Sequence, residues 1–248
     1  MTTPILFVHG LRTSRSMWRR QLAMAEANGI PAEAVDLPGH GHRMSERFTL
    51  AAAASTITDA VTRLEQRHGR RPYLVGFSLG GYLAVDWVAA HPRSVCGLLA
   101  ASCGTVPSAR VLLGWQVLAR GIHRLPDRGL GLNDAMVRLF VSEPGATDVI
   151  AGGVALEVMD DVLRALPALR PLESLQRIDE PVLFVNGRWD HLRWHASRYL
   201  EATRHGRSVT IAGATHMVSV TRAAVFDEAL LGGYRASAGS AGSSTDEP

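Results

Sequence analysis

Short apolar runs alternate with longer amphipathic segments along most of the chain. The runs are dominated by branched aliphatic and aromatic residues, as in Ile5-Leu6-Phe7-Val8. Such runs are typical of strands that are buried on both faces of a parallel sheet. We predict six strands of this kind, at residues 4–8, 32–37, 73–75, 95–102, 181–186 and 208–212.

The segments between these runs repeat apolar residues at three- and four-residue steps. Residues 49–68 show this most clearly, with Leu50, Ala54 and Ile57 on one helical face. The alternation of strands and helices predicts an α/β fold, with a mostly parallel sheet of about six strands and helices on both faces. The other predicted helices of this alternation cover residues 17–27, 193–203 and 217–231, and one begins after Ser78.

The alternation stops between residues 105 and 170. Three helical patterns follow one another there without a strand pattern between them, at residues 111–122, 133–141 and 147–166. The last residues of the chain are rich in serine, glycine and alanine, a composition typical of disorder. We therefore predict a core at 1–104 and 171–232, an inserted helical segment at 105–170, and a disordered tail at 233–248.

Composition narrows the class of protein. No apolar run has the roughly 20 residues that a membrane-spanning helix needs, and the N-terminal residues lack the pattern of a signal peptide. Cys96 and Cys103 lie on or beside an apolar run, which favours buried thiols over a disulfide or a metal site. These observations predict a cytoplasmic protein without a membrane span.

All 26 basic residues are arginines, and the net charge is +3. The arginines are scattered among acids, and only Arg12, Arg15, Arg19 and Arg20 lie close together in sequence. A nucleic-acid-binding protein needs a basic stripe on a recognisable module, and neither is present. We therefore predict no nucleic-acid partner and interpret the four arginines as a solvated helix face.

The motif G-x-S-x-G occurs at residues 76–80, between a predicted strand and a predicted helix. This context places Ser78 at a sharp strand-to-helix turn, with its hydroxyl exposed at the sheet edge. Gly76 and Gly80 fit such a turn because the helix packs back against the strand there. The backbone N–H of Leu79, at the helix start, points to where an oxyanion would form.

A serine nucleophile needs a base, and the base needs an orienting group. Asp190 and His216 each follow a predicted strand, at the end of the sheet where parallel α/β proteins bind ligands. The chain order Ser78, Asp190, His216 is the order expected when G-x-S-x-G carries a nucleophile. We predict that these three residues form a catalytic triad.

Taken together, these motifs resemble the α/β-hydrolase fold family over residues 4–231. The matching pieces are His9-Gly10, the run Asp36-Leu37-Pro38-Gly39-His40-Gly41, the Ser78 turn, and the Asp190 and His216 loops.

The resemblance implies roles for further residues. It implies that the backbone N–H of Leu11 is the second oxyanion donor beside that of Leu79, and that His9 organises its loop. It also implies that residues 104–170 form a cap over the site. The chain starts at the family's third strand, so one sheet edge is expected to be bare or covered by a homodimer partner. Ser78, in place of aspartate, argues against dehalogenase and epoxide-hydrolase chemistry.

The resemblance favours a cofactor-free and metal-free serine hydrolase. We expect it to cleave a carboxylic ester of a small to medium apolar acyl substrate through an acyl-enzyme. His191 and His195 are interpreted as surface or pocket-lining residues. Candidates for the apolar pocket are Trp18, Trp115, Met136 and Phe140.

Four alternatives remain open on the sequence. They are a C–C bond hydrolase, a pyruvate-eliminating lyase of the menaquinone-synthesis type, a thioesterase, and a ligand receptor with negligible turnover. The first two act on anionic substrates and need arginines in the pocket. The candidates for that role are Arg110, Arg120, Arg124 and Arg138.

Overall fold

A computed structural model describes residues 2–240, without the side chains of residues 109–111 and 240. Its single sheet has six strands in the order β2-β1-β3-β4-β5-β6, and every neighbouring pair is parallel. This confirms the predicted α/β class and sheet. The strands are β1 (Ile5–Val8), β2 (Ala32–Val35), β3 (Tyr73–Phe77), β4 (Gly97–Ala101), β5 (Val182–Gly187) and β6 (Gly206–Ile211).

Helices cover both faces of the sheet and continue through the segment that lacks strands. They are α1 (Arg19–Ala27), α2 (Leu50–His68), α3 (Leu79–Ala90), α4 (Ala109–Ile122), α5 (Leu130–Phe140), α6 (Gly145–Ile150), α7 (Met159–Ala165), α8 (Pro171–Leu175), α9 (Ala196–Glu201), α10 (Val218–Thr221) and α11 (Ala223–Ser240).

Alternate residues of each buried strand enter two different cores. Leu6 and Leu74 belong to the core beneath α2 and α3. Ile5 and Tyr73 point the other way, into the core beneath α1 and α11. Because both faces are covered, the strands are apolar at nearly every position, which is why they appear as continuous runs in the sequence.

The helical segment, residues 105–170, differs from its prediction in one place. The pattern at 147–166 is two helices, α6 and α7, rather than one. The chain leaves the helical conformation at Gly152-Gly153, where Gly153 has a φ of +77°. Glycine adopts this left-handed conformation without steric cost, and two glycines in succession weaken a helix.

The C-terminal helix corrects the predicted tail. Helix α11 runs to Ser240, so residues 233–240 are helical rather than disordered. Tyr234 explains the extension: its ring is buried, and its hydroxyl donates a hydrogen bond to the Thr3 carbonyl at 2.8 Å. The remainder of the predicted tail, residues 241–248, lies outside the described residues.

Strands β2 and β6 form the two edges of the sheet. No described helix is long and apolar enough to cross a membrane. All six strands point their carboxyl ends to one side, so the loops that follow β1, β3, β5 and β6 meet at a single edge. That edge carries every residue predicted to act in catalysis.

Candidate active site

Ser78 occupies a strained turn between β3 and α3. Its φ of +52° and ψ of −114° lie outside the regions that ordinary residues favour. The turn requires glycine on both sides. A Cβ on Gly76 would collide with the backbone of Gly80, and a Cβ on Gly80 would collide with the carbonyl oxygens of Val8 and His9. The glycines predicted from the motif are therefore needed for packing.

The side chains of Ser78, His216 and Asp190 form a continuous hydrogen-bonded chain. The Ser78 hydroxyl lies 3.0 Å from Nε2 of His216. Nδ1 of the same imidazole lies 2.9 Å from Oδ1 of Asp190. The structure thus brings together the three residues predicted from the sequence, with distances that suit proton transfer from the hydroxyl.

The surroundings of Asp190 keep it ionised. Burial by itself would raise its pKa, but hydrogen bonds from His216 and the Leu192 backbone N–H, together with the charge of His216, lower the pKa overall. An ionised carboxylate accepts the Nδ1 proton of His216 and leaves Nε2 free to accept a proton. Asp190 therefore fixes the imidazole in the tautomer that a general base needs.

The loop that carries His216 is held from two sides. The Ser102 hydroxyl, at the end of β4, donates a hydrogen bond to the His216 carbonyl at 2.8 Å. The Trp189 backbone N–H donates to Ala214 at 2.9 Å, which ties this loop to the Asp190 loop. Ser102 is a residue that the sequence analysis missed, because a serine at a strand end carries no distinguishing pattern.

Two backbone N–H groups border the Ser78 hydroxyl. Leu79 is the first residue of α3, and Leu11 lies in the loop after β1; both line the same cavity as Ser78. Neither N–H has a hydrogen-bond acceptor within residues 2–240. At Leu79 the positive end of the helix dipole adds to the attraction for negative charge. Both therefore stay the predicted donors of an oxyanion hole beside Ser78.

Buried polar groups fix the loop that carries Leu11. Nε2 of His9 accepts a hydrogen bond from the Leu37 N–H at 3.0 Å, which joins this loop to the one after β2. The carboxylate of Asp36 accepts a second such bond, from the Arg15 N–H at 2.8 Å. Burial lowers the pKa of His9 to about 4. A neutral, fully engaged imidazole fits the loop-organising role that the resemblance implied for His9.

A largely apolar cavity of about 280 Å³ opens beside Ser78. Its floor is formed by the core, and its roof comes from α4, α7 and the residue that follows α7. The apolar residues of the roof are Leu112, Trp115, Leu118, Ala119, Ile122, Met159, Leu163 and Leu166. The helical segment therefore supplies most of the apolar wall of the cavity.

Of the predicted pocket residues, only Trp115 lines this cavity. Trp18 is fully buried against Phe7 in the core beneath α1 and α11. Met136 and Phe140 are on α5, where both side chains are exposed. Their positions could not be read from the sequence, because the orientation of the inserted helices relative to the sheet leaves no local pattern.

The two histidines after Asp190 have different roles. His191 lines the cavity, and its ring packs against those of Trp115 and His216. Burial, followed by the charge of His216, lowers the pKa of His191. Nδ1 of His195 accepts a hydrogen bond from the Val106 N–H at 3.1 Å, a structural contact.

The arginines considered for anionic substrates do not reach the cavity. Arg120, Arg124 and Arg138 have exposed side chains and are absent from the described cavity wall, and Arg138 pairs with Glu143 at 3.0 Å. The side chain of Arg110 lies outside those described. The charged residue that does line the cavity is Arg12, which the sequence analysis placed on a solvated helix face.

Potential metal ligands also converge near the site. Nitrogen and oxygen atoms of Asp190, His191 and His216 lie within 4.8 Å of one another. Two of these residues are already joined by the Asp190–His216 hydrogen bond, so a metal here would have to replace it. The arrangement fits proton transfer better than metal binding.

Comparison with known proteins agrees with the fold. A sequence model described as the alpha/beta hydrolase family matches residues 5–229. The chain therefore belongs to the alpha/beta hydrolase family. The named relatives support hydrolase activity.

Among curated proteins, the chain resembles the pimeloyl-[acyl-carrier protein] methyl ester esterase of Sodalis glossinidius. The two are 25% identical over 250 residues, which cover 91% of each chain. A shorter match, 32% identical over 98 residues, is to the 2-succinyl-6-hydroxy-2,4-cyclohexadiene-1-carboxylate synthase of Serratia proteamaculans. It spans 38% of this chain and 36% of that protein.

Solved structures share the architecture. The enol-lactonase from Burkholderia xenovorans LB400 superposes with a TM-score of 0.73 at 20% identity, over 94% of this chain and 92% of that one. At this identity the likeness establishes the fold alone.

Proposed function

We propose that the protein is a serine hydrolase that cleaves a carboxylic ester through an acyl-enzyme. The observation that carries this proposal is the Ser78–His216–Asp190 chain of hydrogen bonds at the mouth of an apolar cavity. The relative matched over most of its length is itself named a methyl ester esterase, which favours an ester over the other bonds considered.

The chemistry follows from the positions of the atoms. Nε2 of His216 takes the proton of the Ser78 hydroxyl as the oxygen attacks the ester carbonyl. The carbonyl oxygen becomes negative and is stabilised by the N–H groups of Leu11 and Leu79. His216 then gives its proton to the leaving alcohol, and a water molecule, activated by the same imidazole, releases the acid from Ser78.

The helical segment acts as the cap in this proposal. Its helices α4 and α7 close the cavity from the side opposite the sheet and exclude water from the acyl chain. The cavity volume of about 280 Å³ suits a small to medium acyl group. The lining favours the apolar part of the substrate, and each buried methylene contributes about 0.8 kcal/mol to binding.

The first experiment compares the wild-type protein with Ser78→Ala on p-nitrophenyl esters from acetyl to palmitoyl. Loss of the nucleophile is expected to lower kcat by up to about 10⁶-fold. Ser55→Ala, the same chemical change at an exposed position on α2, serves as the matched control and is expected to keep wild-type activity. Ester hydrolysis by Ser78→Ala at the wild-type rate would contradict the proposal.

A further inference from the structure

Among the described residues that line the cavity beside Ser78, one carries a permanent positive charge. Arg12 follows Leu11 directly, and both residues line the same cavity. The Arg12 backbone has a φ of +66°, a conformation that non-glycine residues rarely adopt. A bulky side chain is thus held beside the cavity at a position where glycine or asparagine would be easier to accommodate.

This guanidinium has no counter-ion within residues 2–240. Arg12 forms no ion pair or hydrogen bond there, and its Nε is buried without a partner. Burial lowers the pKa of Arg12, with no nearby carboxylate to offset the effect. The Arg12 side chain is half-buried, and a charge that is partly withdrawn from water without a partner is unfavourable, so proteins normally satisfy it with an acid or a ligand.

The other groups at the cavity do not supply that acid. No carboxylate is among the described lining residues. Asp190, which is not among those lining residues, has one oxygen engaged by both His216 and the Leu192 N–H, and it belongs to the predicted triad. The two lining histidines, His191 and His216, carry no negative charge. Arg12 therefore lines the space that a substrate would fill and has no acidic partner among the other described residues of that lining.

We propose that Arg12 binds a carboxylate of the substrate, so that the physiological ester carries one negative charge close to its scissile carbonyl. This inference rests on the proposed function and specifies its substrate class. The proximity follows from the chain, because Arg12 is the residue next to the Leu11 N–H that would hold the carbonyl oxygen. The remainder of the substrate is apolar, to match the roof of the cavity.

A carboxylate fits this site better than a phosphate group. The guanidinium is planar and offers a fork of N–H donors that matches the two oxygens of a carboxylate. It is also the one permanent positive charge among the described lining residues, since burial keeps His191 neutral at ordinary pH by lowering its pKa. One cation in an apolar wall balances a monoanion and leaves a phosphate dianion half unpaired.

The kinetic test uses pairs of esters that differ only in charge. The monomethyl esters of succinate, glutarate and adipate are each compared with the neutral ω-amide of the same length, and methanol release is measured. Wild type is expected to prefer the carboxylate about 10- to 100-fold in kcat/KM, the range for one hydrogen-bonded charge pair. Arg12→Gln is expected to remove this preference through KM, and Arg12→Lys to keep part of it.

Arg120→Gln is the matched control. It removes the same charge from α4, above the cavity, but its side chain does not line the cavity. It is expected to retain the wild-type preference. An Arg12→Gln protein that keeps the preference, or that loses activity equally on acid and amide, would overturn the inference. Should Arg12→Gln not fold, a wild-type protein without any preference for the carboxylate overturns it as well.

A binding measurement separates this inference from the proposed function. In Ser78→Ala, isothermal titration calorimetry is expected to show about tenfold or greater discrimination between the half-ester and its amide. That discrimination should disappear when Arg12→Gln is added. Discrimination without any wild-type ester turnover would support the Arg12 site and refute the esterase. Equal affinities for half-ester and amide would refute the Arg12 site, whatever the turnover.

Discussion

Three of the five described non-glycine residues with positive φ lie at the edge of the sheet that carries Ser78. Arg12, Ser78 and Ser102 follow β1, β3 and β4, and all three have positive φ angles although none is glycine. Such conformations cost about 1–3 kcal/mol each and persist only where the surrounding structure enforces them. Each of the three directs its side chain to a specific partner or space: the cavity, the imidazole, or the loop that carries the imidazole.

Ser102→Ala is expected to lower kcat about 3- to 10-fold and to leave KM unchanged. The substitution removes the hydrogen bond to the His216 carbonyl, worth about 1 kcal/mol, without touching the cavity. Steady-state kinetics on a p-nitrophenyl ester, with the melting temperature measured in parallel, check this.

A purely structural role for Ser102 predicts a different result. In that case Ser102→Ala lowers the melting temperature while kcat of the folded enzyme stays at the wild-type value. The split between kcat and stability therefore distinguishes a positioning residue from an ordinary buried serine.

At the residue scale, the sequence predicted the site residues that belong to a recognisable motif or follow a predicted strand. Ser78, Asp190 and His216 could be found because each follows a strand and their order along the chain is distinctive. Arg12 could not be found in this way. Its neighbours Arg15 and Arg19 are exposed, and only the left-handed turn at residue 12 separates its direction from theirs.

At the scale of elements, one buried carbonyl links the start of the helical segment to two core helices. The Thr105 carbonyl, where the chain leaves β4 for α4, accepts hydrogen bonds from the hydroxyls of Tyr82 at 2.7 Å and Tyr199 at 3.1 Å. Tyr82 belongs to α3 and Tyr199 to α9, so two core helices hold the start of the segment. Both hydrogen bonds are buried. Because water cannot replace a missing donor there, a Thr105 carbonyl without a partner would destabilise the fold.

The two tyrosines are expected to act as partial substitutes for each other. Tyr82→Phe or Tyr199→Phe alone should destabilise the protein by about 0.5–1.5 kcal/mol, because the carbonyl keeps one donor. The double variant should lose about 1–3 kcal/mol more of the free energy of unfolding than the two single variants lose together, because the buried carbonyl then has no donor. Urea unfolding of the four proteins measures this coupling, and strict additivity would contradict it.

Apolar spacing in the sequence predicted some of the helices and strands but not all of them. Strands and long helices were predicted because both faces of the sheet are buried and the helices have one continuous apolar face. The pattern at 147–166 concealed a break, since apolar residues continue at helical spacing through Gly152-Gly153. Helix α8, at Pro171–Leu175, was missed because a helix this short shows less than two turns of periodicity.

At the scale of the whole molecule, stability is expected to fall on mild acidification. Burial lowers the pKa of His9 to about 4 and that of His40, which also faces His9, to about 3. In the unfolded chain both titrate near 6.5. Between pH 6.5 and 4 both histidines are therefore protonated in the unfolded chain but neutral in the folded one. The free energy of unfolding decreases as the pH falls through this range.

Urea unfolding at pH 7.5 and 5.5 checks this prediction. Each of the two histidines should lower the free energy of unfolding by about 1.4 kcal/mol over that interval, or about 3 kcal/mol together. In the folded protein, the NMR resonances of the His9 ring should not titrate above pH 5.5. Stability that is constant across this interval would show that His9 and His40 are accessible to protons in the native state.

The order of the strands has a consequence for the protein during its synthesis. Strands β1 to β4 come first along the chain and are adjacent in the sheet, so Ser78 can reach its strained turn early. Its partner His216 lies 138 residues further on. At typical translation rates that distance corresponds to roughly 7–28 s. A nascent or truncated chain therefore carries Ser78 without His216, and the proposed esterase activity should appear only once the last loop of the sheet has left the ribosome.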